Sequence, residues 1–163
     1  MGTETVIDSV GQRLWLSPAV EVDLNEMRKT AQQVIAGLSP LPADCDALVG
    51  ELNRELLPGW SDDWLMLDHE RWDQVRLHAL ESLAQQLQTA GQYLPALQTA
   101  LTAISIDPIR ETAHRIVVEI HIAEGNLACA LKRYRTYREL LRQELEVAPS
   151  QQMTRLVEEL IAT

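Results

Sequence analysis

The chain has 163 residues, 46% of them hydrophobic and 23% charged, the make-up of one globular domain and not of a disordered segment. Four Trp and three Tyr are its only aromatics, and Phe is absent, so the core must be built mainly from Leu, Ala, Val and Ile. The formal charge of −10 makes the chain a poor general binder of nucleic acid, because holding phosphates takes a cationic surface. The charge is uneven: residues 1–70 carry −9 and residues 71–163 carry −1.

Cys45 and Cys129 stand far apart in no metal or redox spacing and read as reduced thiols of a cytosolic protein. The longest apolar run, Leu127 to Leu131, is far short of the roughly 20 residues of a membrane span. The N-terminus has neither the positive flank nor the apolar stretch of a signal peptide. A cytoplasmic protein that makes no membrane contact is the expectation.

In chain order, residues 5–10 and 13–16 are β-rich runs separated by Gly11 and Gln12, which predicts a short hairpin, with Val20 to Val22 as a third short strand. So small a ribbon is marginal in water and is expected to pack on something. From Asp23 the pattern turns helical. Asp23 and Glu26 have the spacing of a capping box, and Leu24, Met27, Ala31, Val34, Ile35 and Leu38 mark one helix face. Gly37, Ser39, Pro40 and Pro42 end that helix. A short helix over roughly 44–53 follows, up to the break at Pro58 and Gly59. Ser61, Asp62 and Asp63 then open the longest helical stretch, unbroken to about residue 90 and about 43 Å long at 1.5 Å per residue.

An internal repeat follows. Gly91 and Gly125 are 34 residues apart, as are Ala96 and Ala130. This period resembles the tetratricopeptide repeat, a helix–turn–helix unit. Each glycine would end its first helix in a left-handed conformation, Tyr93 or Leu127 would cover the turn, and each alanine would sit where paired helices cross. Pro95 falls in the first turn of the second helix, and Asp107 with Pro108 ends it. Leu80, Leu83, Ala84 and Leu87 fill the packing positions of the first copy, where the second has His114, Val117, Val118 and His121. The last helix of the second copy extends for about 20 residues, with Leu127, Ala130, Leu131, Tyr134, Tyr137, Leu141 and Leu145 on one face. Ser150 caps a closing helix with Met153, Leu156, Val157, Leu160 and Ile161 inward. The fold expected is all-α: a tetratricopeptide-repeat-like stack of helical hairpins with a short N-terminal β-hairpin.

The order of segments is more specific than the period. It includes Val20 to Leu24, Leu56 to Trp64, Glu70 and Arg71, Val75 to Glu81, Ala90 to Tyr93, Ile106 to Arg115, His121 to Gly125, Tyr134 to Arg138 and Leu145 to Ser150. Over residues 20–161 this order resembles the bacterial transcriptional activator domain of the Streptomyces antibiotic regulatory protein family. The resemblance implies an activator and interaction domain over residues 23–163. It also implies that residues 1–22 are a remnant or junction of a winged-helix DNA-binding domain, whose other roughly 90 residues are expected to be absent here. DNA would then be reached only through that missing domain, and the partner would be a protein: the transcription machinery or a second copy.

The groove positions of the repeat fall on His78, Glu81, Gln85, Gln88 and Thr89 in the first copy and on Thr112, Arg115 and Glu119 in the second. These are polar and of mixed sign, suited to hydrogen-bonded peptide recognition. Trp60, Trp64 and Trp72 fit a ligand pocket or partner hot spot, or else simply fill the junction between the short helices and the repeats; Trp60 is the one expected to be partly exposed. A small-molecule sensor with its ligand near these rings is the alternative function. His114 and His121 lie seven apart, too far for the i, i+4 pair that chelates zinc, and read with His69 and His78 as packing or groove-lining residues. Arg135, Arg138 and Arg142 form a stripe that Glu139 and Glu146, four residues after Arg135 and Arg142, are placed to neutralise. Asp62, Asp63, Asp68 and Glu70 suit the positive end of a helix better than acid–base chemistry. No nucleophile arrangement or phosphate loop is present in the sequence, so no catalytic residue, metal or cofactor is expected.

Overall fold

The computed structural model describes residues 6–18, 20–37 and 40–161, with side chains as far as Glu159. A two-stranded antiparallel ribbon, β1 (Ile7–Val10) and β2 (Arg13–Leu16), precedes seven helices: α1 (Asp23–Ala36), α2 (Cys45–Leu52), α3 (Asp63–Thr89), α4 (Tyr93–Ile106), α5 (Glu111–Ala123), α6 (Leu127–Glu144) and α7 (Gln151–Ile161). The helical stack expected from the periodicity is the fold observed.

The ribbon pairs Ile7 with Leu16 and Val10 with Arg13, and Gly11 turns it at φ +64. Thr5, where the first run begins, lies outside the described residues, and no strand forms at Val20 to Val22. The expected packing surface is not found either: Val10 is 70% and Leu14 72% exposed.

The start of α1 corrects the capping box. Val22 occupies the cap position and contributes no side-chain bond. Asp23 Oδ1 accepts from the amide of Leu24, and Glu26 pairs with Lys29 at 2.6 Å. Lys29 is an i, i+3 partner within reach of that carboxylate, and the first-turn amides of Asn25 and Glu26 bond to the Val22 carbonyl instead of to a side chain. Gly37, at φ +61, ends the helix as expected, while Leu38 and Ser39 lie outside the described residues. Asp44 caps α2 by accepting from the amide of Ala47 at 2.9 Å.

The 34-residue repeat is visible in the hydrogen bonds. After α3, the Gly91 amide donates to Gln88 and the Gln92 amide to Leu87; after α5, the Gly125 amide donates to Ile122 and the Asn126 amide to His121. Both glycines are left-handed, at φ +73 and +76. This double bond pattern closes a helix end on a residue that a Cβ disfavours. Ala96 and Ala130 are fully buried at the crossings of α3 with α4 and of α5 with α6.

The elements stack in two rows. α1 packs beside α3 and α3 beside α5, with Met153 and Val157 of α7 joining Val118 of α5, while α2 and α4 pack against α3 and α6 against α5. The main core joins Ala31, Val34, Leu52 and Trp72 to Leu80, Leu83, Leu87, Ala100, Ile116 and Ile120. A second, smaller cluster of Val118, Ala130, Tyr137, Leu141, Met153 and Val157 seats α7. On α6 the expected face is buried only in its middle, since Leu127 and Leu145 are exposed at its two ends. Ser150 caps α7 as expected, its Oγ accepting from the Met153 amide. The Leu160 and Ile161 side chains lie outside the described residues.

Candidate interaction face

The groove positions do not share one environment. Glu81 is buried inside the stack, and its two oxygens accept from Arg110 Nε and one terminal Arg110 nitrogen at 2.6 and 2.9 Å. This bidentate bond raises the affinity of the Arg110 guanidinium for its proton. Glu81 therefore joins α3 to the α4–α5 connection rather than facing outward, a correction to its reading as a contact residue. His78 is exposed at the rim, with Nδ1 3.7 Å from the same carboxylate.

Gln85 and Thr89 are exposed and line a cleft of about 460 Å³ with Ile35, Ser82 and Gln86. Gln86 anchors its floor, since its amide donates to the Val34 carbonyl at 2.9 Å. Gln88 and Thr112 are half-buried and line none of the clefts described here. Arg115 and Glu119 pair at 2.8 Å on α5 and line a second cleft, of about 470 Å³, whose other wall is Gln151, Gln152, Arg155, Leu156 and Glu159 of α7. The face is thus two polar clefts on the row α1, α3, α5, α7. The α7 residues were missed because the overrun of α6 breaks the 34-residue count. The signal was still present, as Gln151 begins a helix 40 residues after Glu111 does.

The His114 imidazole is structural. His114 is buried and stacks on Tyr137, with ring centroids 4.2 Å apart. Its Nε2–H donates to the Pro108 carbonyl at 2.9 Å, and burial holds its pKa below the ordinary value. Tyr137 donates to the Ile109 carbonyl, and burial pushes its phenol up to about 12. No group of three His, Cys, Asp or Glu is placed to hold a metal among the described residues. No helix there is long and apolar enough to cross a membrane.

Helices paired across Gly-capped turns are the architecture that the 34-residue period implied. The family model for the bacterial transcriptional activator domain matches residues 47–161, from α2 through α7. The chain belongs to this family. That membership places it among transcription regulators. A search of characterised proteins finds no match.

The three Trp of this activator domain do not form a cluster. Trp72 is 3% exposed, and its Nε1–H donates to the Arg54 carbonyl at 3.2 Å. It lines a cleft of about 280 Å³ with Leu24, Met27, Leu56 and Pro58, but Trp60 and Trp64 are not on its walls. Both are exposed, Trp64 at 64% more so than Trp60 at 56%. Junction filling therefore describes Trp72, whose cleft is not shared with Trp60 or Trp64. Helix phase carried this signal: Trp64 sits about 80° around α3 from Trp72.

The Arg stripe of the activator domain is neutralised differently from expectation. Glu139 pairs with Arg142, at 2.6 Å, and not with Arg135. Hydrogen bonds from Arg142 and Gln143 pull its carboxyl down to about 2. Glu146, at φ +57 just past the end of α6, makes no ion pair among the described residues. The left-handed turn carries it off the helical spacing that would have set it beside Arg142.

Proposed function

We propose that this chain is the protein-interaction and effector module of a transcriptional activator, working in the cytoplasm without chemistry of its own. The helical unit would run over residues 23–163, because α1 contributes Ala31 and Val34 to the same core as the repeats. The partner would be the transcription machinery or a second copy of the regulator. It would be gripped on the polar row by Gln85 and Thr89 at one cleft and by Arg115, Glu119, Gln152 and Arg155 at the other. The observation that carries this reading is the cleft between α5 and α7, which presents two cations, two carboxylates and two amides along one open face in a family of transcription regulators. Hydrogen-bonding groups held on rigid helices suit the recognition of a peptide or a helix edge. DNA would be read by a winged-helix domain, for which residues 1–22 would be the junction. With a charge of −10, this module is not expected to hold phosphates itself.

The test is retention of purified bacterial RNA polymerase on the immobilised chain, with sedimentation to detect self-association. Arg115→Glu is expected to weaken whichever interaction is found by tenfold or more, with an unchanged circular dichroism melt. A folded Arg115→Glu variant with wild-type retention would remove the cleft from the interface. Salt-dependent retardation of duplex DNA by the chain alone would overturn the division of labour.

A further inference from the structure

The start of α3 is apolar on every side. Trp64, Leu65, Met66 and Leu67 are consecutive, and only Leu65 is buried. Trp64 and Met66 are each 64% exposed, Leu67 is 53% exposed, and Trp60 just ahead of the helix is 56% exposed. Single exposed apolar residues need no explanation, but here four large ones fall within eight residues. The two indoles alone leave on the order of 200 Å² of ring surface in water. With Met66 and Leu67, the patch is of the size that marks a contact surface.

Its border is acidic. Asp63 lies one turn before Leu67, and Glu70 lies one turn after both Met66 and Leu67. Asp62, Asp63 and Glu70 make no ion pair among the described residues. The cations of this region are already engaged: Arg54 with Glu51, Arg71 with Asp68, and Arg76 with Asp73. Asp62 and Asp63 also complement the positive end of α3, but Glu70 lies two turns inside the helix, where that field has died away. A second copy meeting this patch face to face would set acid against acid, on chains that each carry −10.

We propose that Trp60, Trp64, Met66 and Leu67 form a second docking surface, for an amphipathic helix of another protein whose apolar stripe is flanked by Lys or Arg. The apolar stripe would cover the indoles, Met66 and Leu67, while its cations would meet Asp62, Asp63 and Glu70. The patch lies at the start of α3, apart from the clefts at its C-terminal half and on α5, so it stands or falls independently of them.

The probe is a synthetic 14-residue amphipathic helix of Leu and Lys, titrated into the full chain and followed by Trp fluorescence and amide chemical shifts. The expected result is a saturable blue shift, with amide changes centred on residues 60–70 and binding at least tenfold tighter than that of the Leu/Glu counterpart. Asp63→Lys with Glu70→Lys, and separately Met66→Ser with Leu67→Ser, should each weaken binding tenfold or more. Glu144→Lys with Glu158→Lys makes the same charge change elsewhere and should leave it intact, as should Arg115→Glu. Equal affinity for the two peptides, no binding of either, or binding that survives both patch variants overturns the proposal. So does a dimer that dissociates on Met66→Ser with Leu67→Ser, since it would assign the patch to a second copy.

Discussion

The two repeat copies, α3 with α4 and α5 with α6, are built on one backbone and filled with different chemistry. Their glycine turns use the same pair of amide-to-carbonyl bonds 34 residues apart, and their crossing alanines are equally buried. Yet on α3 the first interface is faced by Leu80, Leu83, Ala84 and Leu87, all aliphatic. The second is held by His114 stacked on Tyr137, each ring tied to the connection between α4 and α5 through the Pro108 and Ile109 carbonyls. The difference teaches that the turn and the crossing point define the repeat. Those positions admit almost one residue type each, whereas a packing layer accepts different sets of side chains that fill the volume.

The largest effect on this comparison should come from the bond that joins the copies. Arg110→Ala leaves the Glu81 carboxylate buried without a partner and is expected to cost about 3–5 kcal/mol, read from urea midpoints. The double variant Glu81→Leu with Arg110→Met should recover most of that loss. If the single variant is near-neutral, the two copies are joined by apolar packing alone.

The glycine turns come next. A Cβ at Gly91 or Gly125 meets nothing within 4 Å, so the cost of a side chain there is purely conformational. Gly91→Val and Gly125→Val should each lose more than about 1 kcal/mol, and by similar amounts. Unequal losses would show that the two turns are equivalent in geometry but not in energy.

The smallest effect separates the two packing layers by pH. The pKa of His114 in the folded chain lies below its unfolded value near 6.5, so at lower pH the unfolded chain binds more protons than the folded one. Stability should therefore be fully present above about pH 6.5 and fall as the pH drops from there toward the folded pKa. His114→Phe keeps a ring against Tyr137 and removes this contribution, so its urea midpoint should change less between pH 7.5 and pH 5.5 than that of the parent. An unchanged slope would mean that His114 does not carry the acid sensitivity.

Much of the architecture was legible because its causes are local. Gly37, Gly91 and Gly125 ended helices where a left-handed residue was needed, and the spacing of Leu80, Leu83, Ala84 and Leu87 gave the buried face directly. The candidate site was less legible. Glu81 looked like a contact residue because its partner, Arg110, lies 29 positions away. Trp60, Trp64 and Trp72 looked like one cluster because they are close in sequence, although only Trp72 points along the face that α3 buries.

The sequence by itself determined the helices, their turns, the 34-residue period and the membership of the activator-domain family, since each rests on residues a few positions apart or on their order. Only the tertiary structure decided which polar groups lie in water and which lie inside, how α7 completes a cleft with α5, and which large apolar side chains stand exposed at the head of α3. Burial belongs to a residue's neighbours in space, and those come from distant parts of the chain.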